Sequence, residues 1–76
     1  MTQVKDLKHL TDLCQDKSDF FIALRGGLRS SKNIYFDGEV FEVIHEIDWS
    51  EETITAEELP THRIGEALSK GALYCY

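Results

Sequence analysis

Asn33-Ile34-Tyr35-Phe36-Asp37-Gly38-Glu39-Val40-Phe41-Glu42-Val43-Ile44-His45-Glu46-Ile47 is two runs of aromatic and branched residues joined by Asp-Gly. Such residues suit a pleated, half-buried surface, and Asp-Gly between two such runs signals a hairpin with a two-residue type I′ turn. That turn sets an expected register. Phe36 faces Glu39, Tyr35 faces Val40, Ile34 faces Phe41, Asn33 faces Glu42 and Lys32 faces Val43. One face of the sheet then carries Ile34, Phe36, Phe41, Val43, His45 and Ile47, and is the expected core side. The other carries Tyr35, Val40, Glu42, Ile44 and Glu46, and is mixed and wetter.

The same turn divides the charge. From Phe20 to Phe36 the only charged residues are Arg25, Arg29 and Lys32. From Asp37 to Glu58 there are nine carboxylates and no Lys or Arg. A basic strand is thus followed by an acidic one. This asymmetry bears on association and solubility rather than on fold.

Upstream, Val4, Leu7, Leu10, Leu13 and Cys14 recur at spacings of three and four, which predicts an amphipathic helix over residues 3–16. Lys5 and Lys8 early and Asp12 and Asp16 late oppose the helix dipole, so packing must hold this helix. Phe20-Phe21-Ile22-Ala23-Leu24 reads as a strand buried on both faces, ended by a turn at Gly26-Gly27. Downstream, Asp48 to Glu52 reads as an acidic loop containing Trp49. Thr55-Ala56-Glu57-Glu58 fits a capping box, and Pro60 disfavours helix at Leu59. Thr61 then caps a second helix over residues 62–70, with Ile64, Ala67 and Leu68 on its apolar face. Gly65 inside it implies close approach of another backbone, since glycine there costs about 1 kcal/mol against alanine. Ala72 to Tyr76 reads as a last short strand. The expected fold is a single α+β domain over residues 1–76, in the order α-β-β-β-α-β. Its sheet is mainly antiparallel, with helices packed on one face.

A chain of 76 residues buries only about 60% of its unfolded surface and leaves little room for a pocket of roughly 300 Å³. A net charge of −6 argues against duplex nucleic acid and against an anionic membrane surface, and admits a basic protein partner. Cys14 and Cys75 are too few for a disulfide framework and match no zinc spacing. The N-terminal stretch is charged, and no apolar run is long enough to span a membrane, so a cytoplasmic location with reduced thiols is expected.

Two stretches are candidate sites. Gly26, Gly27, Arg29, Ser30, Ser31 and Lys32 form a glycine loop whose freed N–H groups and side-chain donors suit an anion. It lacks P-loop spacing, and hairpin-turn chemistry explains the glycines and serines equally well. Glu42, Glu46, Asp48 and Trp49 form the candidate protein-binding surface, with Trp49 as anchor or, equally, folded onto the core. His45, Glu46 and Asp48 look like metal ligands as text, but a strand sends His45 to one face and the carboxylates to the other. No metal or cofactor is therefore expected. Cys14 and Cys75 read as packed thiols. Spacing suggests no partner for His9 or His62. No nucleophile–base arrangement is visible.

The run Phe20-Phe21-Ile22-Ala23-Leu24-Arg25-Gly26-Gly27-Leu28-Arg29-Ser30-Ser31-Lys32 resembles a segment of small uncharacterised bacteriophage and prophage proteins. The likeness continues in Ile34-Tyr35, Glu46-Ile47-Asp48 and Gly71-Ala72-Leu73-Tyr74. It implies an origin in mobile DNA and carries over no activity. The expectation is a small acidic, non-enzymatic accessory protein that binds a basic protein, with nucleic-acid mimicry as a specific version. The alternative is an anion- or phosphate-binding module using the 26–32 loop.

Overall fold

The computed structural model of the protein describes residues 2–16, 18–23 and 31–76. Among the described residues there are six strands, two helices and one 3-10 turn. They are β1 (Thr2–Gln3), α1 (Leu7–Leu13), β2 (Ser18–Ile22), β3 (Ser31–Phe36), β4 (Val40–His45), β5 (Ser50–Thr55), a 3-10 turn (Leu59–Thr61), α2 (Arg63–Ser69) and β6 (Leu73–Cys75). The strands form one sheet in the order β1-β6-β2-β3-β4-β5, and every pairing is antiparallel. The fold is thus α+β, with two strands more than the sequence reading supplied.

The central hairpin forms, but its register differs from expectation by two residues. Phe36 pairs with Phe41, Ile34 with Val43 and Lys32 with His45. The cause is the Asp37 side chain. Its Oδ1 accepts the N–H groups of Glu39 (2.9 Å) and Val40 (3.0 Å), while Asp37 N–H donates to Val40 O (3.3 Å). The tip therefore moves on to Gly38-Glu39. Gly38 has φ +103° and Glu39 has no positive φ, which departs from a type I′ turn. Because the displacement is an even number, each side chain keeps its face. Ile34, Phe41 and Val43 are buried as expected.

The core gathers on that face. Phe20, Ile22, Ile34, Phe41, Val43, Ile54, Leu73 and Cys75 from the strands join Leu10, Ile64 and Ala67 from the helices in one cluster, together with Val4, Cys14 and Leu59. Val4 is buried without being helical. It continues β1, and its N–H donates to Leu73 O at 2.9 Å. The first helix is accordingly shorter than residues 3–16. It begins after Asp6, whose Oδ1 accepts His9 N–H at 2.8 Å, while His9 Nδ1 accepts Lys5 N–H at 3.1 Å. Leu7, on the expected apolar stripe, is 47% exposed.

The second helix is capped by His62, not by Thr61. Its Nδ1 accepts Ile64 N–H at 3.2 Å. The capping box at Thr55 does form. Thr55 N–H donates to Glu58 Oε1 (3.2 Å) and Glu58 N–H to Thr55 Oγ1 (3.2 Å), ahead of the 3-10 turn that Pro60 permits. The expected acidic loop over Asp48 to Glu52 is largely strand, because Ser50 to Thr55 pairs with β4 along its whole length.

Candidate functional site

The tight turn between β4 and β5, Glu46 to Trp49, is the most solvent-directed apolar feature among the described residues. Ile47 is 79% exposed and Trp49 74% exposed. The expectation that Ile47 faces the core is corrected here. β4 ends at His45, so Ile47 sits beyond the pleat, in the turn. Asp48 Oδ1 accepts Ser50 N–H at 3.0 Å and closes the turn. The Ser50 hydroxyl and N–H hold the Asp48 carboxyl below its ordinary value. Trp49 takes φ +57°, a left-handed conformation unusual for a residue with a bulky side chain. Its ring thus points at solvent from a strained backbone rather than folding onto the core.

Of the expected contact residues, Glu42 and Asp48 are exposed, Asp48 in the turn next to Trp49 and Glu42 further back along β4, between Tyr35 and Thr53. Glu46 is half-buried. Its carboxylate accepts Asn33 Nδ2 (2.5 Å) and the Ser31 hydroxyl (3.0 Å), so it ties β3 to the turn. That bond orients the Asn33 amide and leaves Asn33 Oδ1 buried with no hydrogen-bond partner.

Gly26, Gly27, Arg29 and Ser30 of the expected anion loop lie outside the described residues. Of the other two, Ser31 is engaged by Glu46, and Lys32 is turned to the core side and only 2% exposed. Burial, and then the nearby Arg63 charge, pull the Lys32 ammonium below its ordinary pKa, with Glu52 opposing.

Lys32 begins a polar chain that spacing did not suggest. Lys32 Nζ donates to His45 Nδ1 (3.4 Å), His45 Nε2 meets Glu52 Oε2 (2.5 Å), and His62 Nε2 meets Glu52 Oε1 (2.6 Å). The partners fix the tautomers. Lysine only donates, so His45 Nδ1 accepts and its Nε2–H donates to the carboxylate. His62 Nδ1 accepts Ile64 N–H, so its Nε2–H also donates. Both imidazole nitrogens of His45 and of His62 are therefore used. Neither ring has a free lone pair for a metal ion or a substrate proton unless a bond breaks. The chain is a strut joining β3, β4, β5 and the start of α2. Glu52 is lowered below its ordinary carboxylate value. Burial raises it, but the hydrogen bonds it accepts from His45 and His62 outweigh that.

Cys14 and Cys75 are buried free thiols. Burial, and the neighbouring Cys75, push Cys14 up to about 12, far from a nucleophilic thiolate. No group of His, Cys, Asp and Glu among the described residues is arranged to hold a metal ion. No helix among them is long and apolar enough to cross a membrane. An open cleft of ≈ 360 Å³ lies between α1, the 3-10 turn and α2, floored by Leu59, Pro60, Gly65 and Leu68 with Leu7 and Lys5 beside it. It is larger than the chain length led one to expect.

Comparison with protein-family models, with curated proteins and with solved structures returned no match to this chain.

Proposed function

We propose that this is a non-enzymatic accessory protein of the cytoplasm that binds a basic protein through the β4–β5 hairpin. The observation that carries the reading is Trp49, held out to solvent at φ +57° beside exposed Ile47. Backbone strain that presents an apolar ring to water is a cost to folding, and such strain concentrates at binding and switch positions. Tryptophan is enriched among the residues that dominate binding energy. Asp48 and Glu51 next to it, with a chain charge of −6, would steer a basic partner and raise its on-rate. A phage or prophage setting is the version of this role that the Phe20–Lys32 resemblance suggests. The anion-binding alternative draws less support, because the Lys32 ammonium is buried against His45.

The test compares protein captured from a cell extract by the wild type, by Trp49→Ala and by the double variant Glu42→Gln, Asp48→Asn. A partner lost with Trp49→Ala and weakened by charge removal supports the reading. Equal capture by all three refutes it.

A further inference from the structure

The protein-binding reading leaves open how the partner is held, and the edge of the sheet answers that. β5 is the last strand in the sheet order, and the opposite edge, β1, is only two residues long. In an antiparallel ladder a residue turns both its N–H and its C=O to one neighbour or to the other. Thr55 turns both away from β4, since its N–H reaches Glu58 Oε1 and its C=O accepts Glu58 N–H at 3.1 Å. Val40, its partner, correspondingly turns its C=O to the β3 side, where it accepts Asp37 N–H. Alternation then sends the N–H and C=O of Thr53 and Glu51 outward as well. Glu58 covers the Thr55 end of the edge. Glu51 and Thr53 stay open, immediately after Trp49.

Open edges invite strand addition, and proteins blunt them with lysine, proline or bulges. Ser50-Glu51-Glu52-Thr53-Ile54-Thr55 has no lysine and no proline. Its only guard is negative charge, and that guard is selective. Two β5 strands placed side by side bring carboxylates against carboxylates, which disfavours a second copy. An extended segment bearing Arg or Lys at alternate positions meets opposite charge instead. We propose that the β5 edge receives an extended, basic segment of the partner as a seventh strand, through the backbone groups of Glu51 and Thr53. Trp49 and Ile47 cover one end of that segment. This rests on the protein-binding reading and names the mode of binding.

The test is an NMR titration of the whole chain with the blocked peptide Arg-Val-Arg-Thr-Arg-Val. With peptide at about ten times its Kd, amide exchange at Glu51 and Thr53 slows about tenfold, as occupancy requires. The same peptide N-methylated at alternate backbone nitrogens gives no slowing. Glu51→Gln weakens binding about two- to fivefold, the range for one exposed ion pair. Thr53→Pro removes only an outward N–H, so the fold survives and peptide binding is lost. Should that variant fail to fold, the N-methylated peptide carries the same distinction. Absence of binding at millimolar peptide overturns strand addition, as does binding that leaves Glu51 and Thr53 exchange unchanged. A natural partner retained by Thr53→Pro but lost by Trp49→Ala overturns strand addition alone and leaves the protein-binding reading standing.

Discussion

Replacing Gly65 by alanine sets two opposed effects against each other. Inside a helix, alanine is favoured over glycine by about 1 kcal/mol. In this fold, however, a Cβ on Gly65 lies 1.8 Å from the carbonyl oxygen of Leu59, 2.6 Å from its carbonyl carbon and 3.1 Å from Pro60 Cα. All three are backbone atoms, so no rotamer change relieves the contact. Bringing the oxygen from 1.8 Å out to 3.0 Å needs a shift of 1.2 Å. That oxygen accepts His62 N–H at 3.0 Å, and the Leu59 side chain is in the core. Moving it strains a buried residue, a proline and the entry to α2 together. Overpacking of this kind costs about 1–3 kcal/mol or more, and a weakened hydrogen bond adds about 1. After the helix gain, Gly65→Ala should lose about 1–3 kcal/mol, or roughly 4–24 °C in Tm for a domain of this size. Urea unfolding followed by far-UV circular dichroism reads this directly, as a lower midpoint at unchanged slope. A Gly65→Ala midpoint at or above wild type would refute the argument, because the close approach of the 3-10 turn to α2 could not then exist.

Three further outcomes follow from the same reasoning. Trp49→Gly relieves the left-handed strain and should raise stability by about 1 kcal/mol while abolishing partner binding, measured by unfolding midpoint and by capture. Glu52 ionises below its ordinary value of 4.5 in the folded chain, so its contribution is full above that pH and is lost as pH falls through the lowered folded value. Wild type should therefore lose more stability between pH 7 and pH 3 than Glu52→Gln does, and parallel pH profiles would contradict the strut. Cys14, buried with its thiol at about 12, should resist alkylation at pH 8 until the chain unfolds. Prompt labelling of native protein would show otherwise.

What could be read beforehand was what periodicity carries. The Asn33–Ile47 stretch displayed its core face, and an even register difference left that face intact. The close approach at Gly65 was legible because glycine in a helix needs a reason. Register itself was not, because it turned on one side chain, Asp37, accepting two N–H groups in place of its own carbonyl. β5 was hidden for a different reason. An edge strand buries few side chains, and only Ile54 of its six residues is buried. Its other inward position near the turn holds Glu52, whose partners lie 7 and 10 residues away. No local pattern announces a polar pairing across three elements. The exposed hairpin tip was half-legible. Trp49 stood out as a possible anchor, but Ile47 took its expected burial from a strand that stops two residues earlier.

The place of β6 has a consequence for the order of assembly. Its three residues lie between β1 and β2, and its register joins Thr2 to Cys75 and Phe20 to Cys75. The β2–β5 meander rests on neighbours close along the chain and can form from local contacts. β6 closes much longer loops, whose entropy must be met before any of its bonds form. The sheet should therefore grow from its acidic side inward. The β1–β6 corner should lock last, bringing Val4, whose N–H donates to Leu73 O, into the core at the final step.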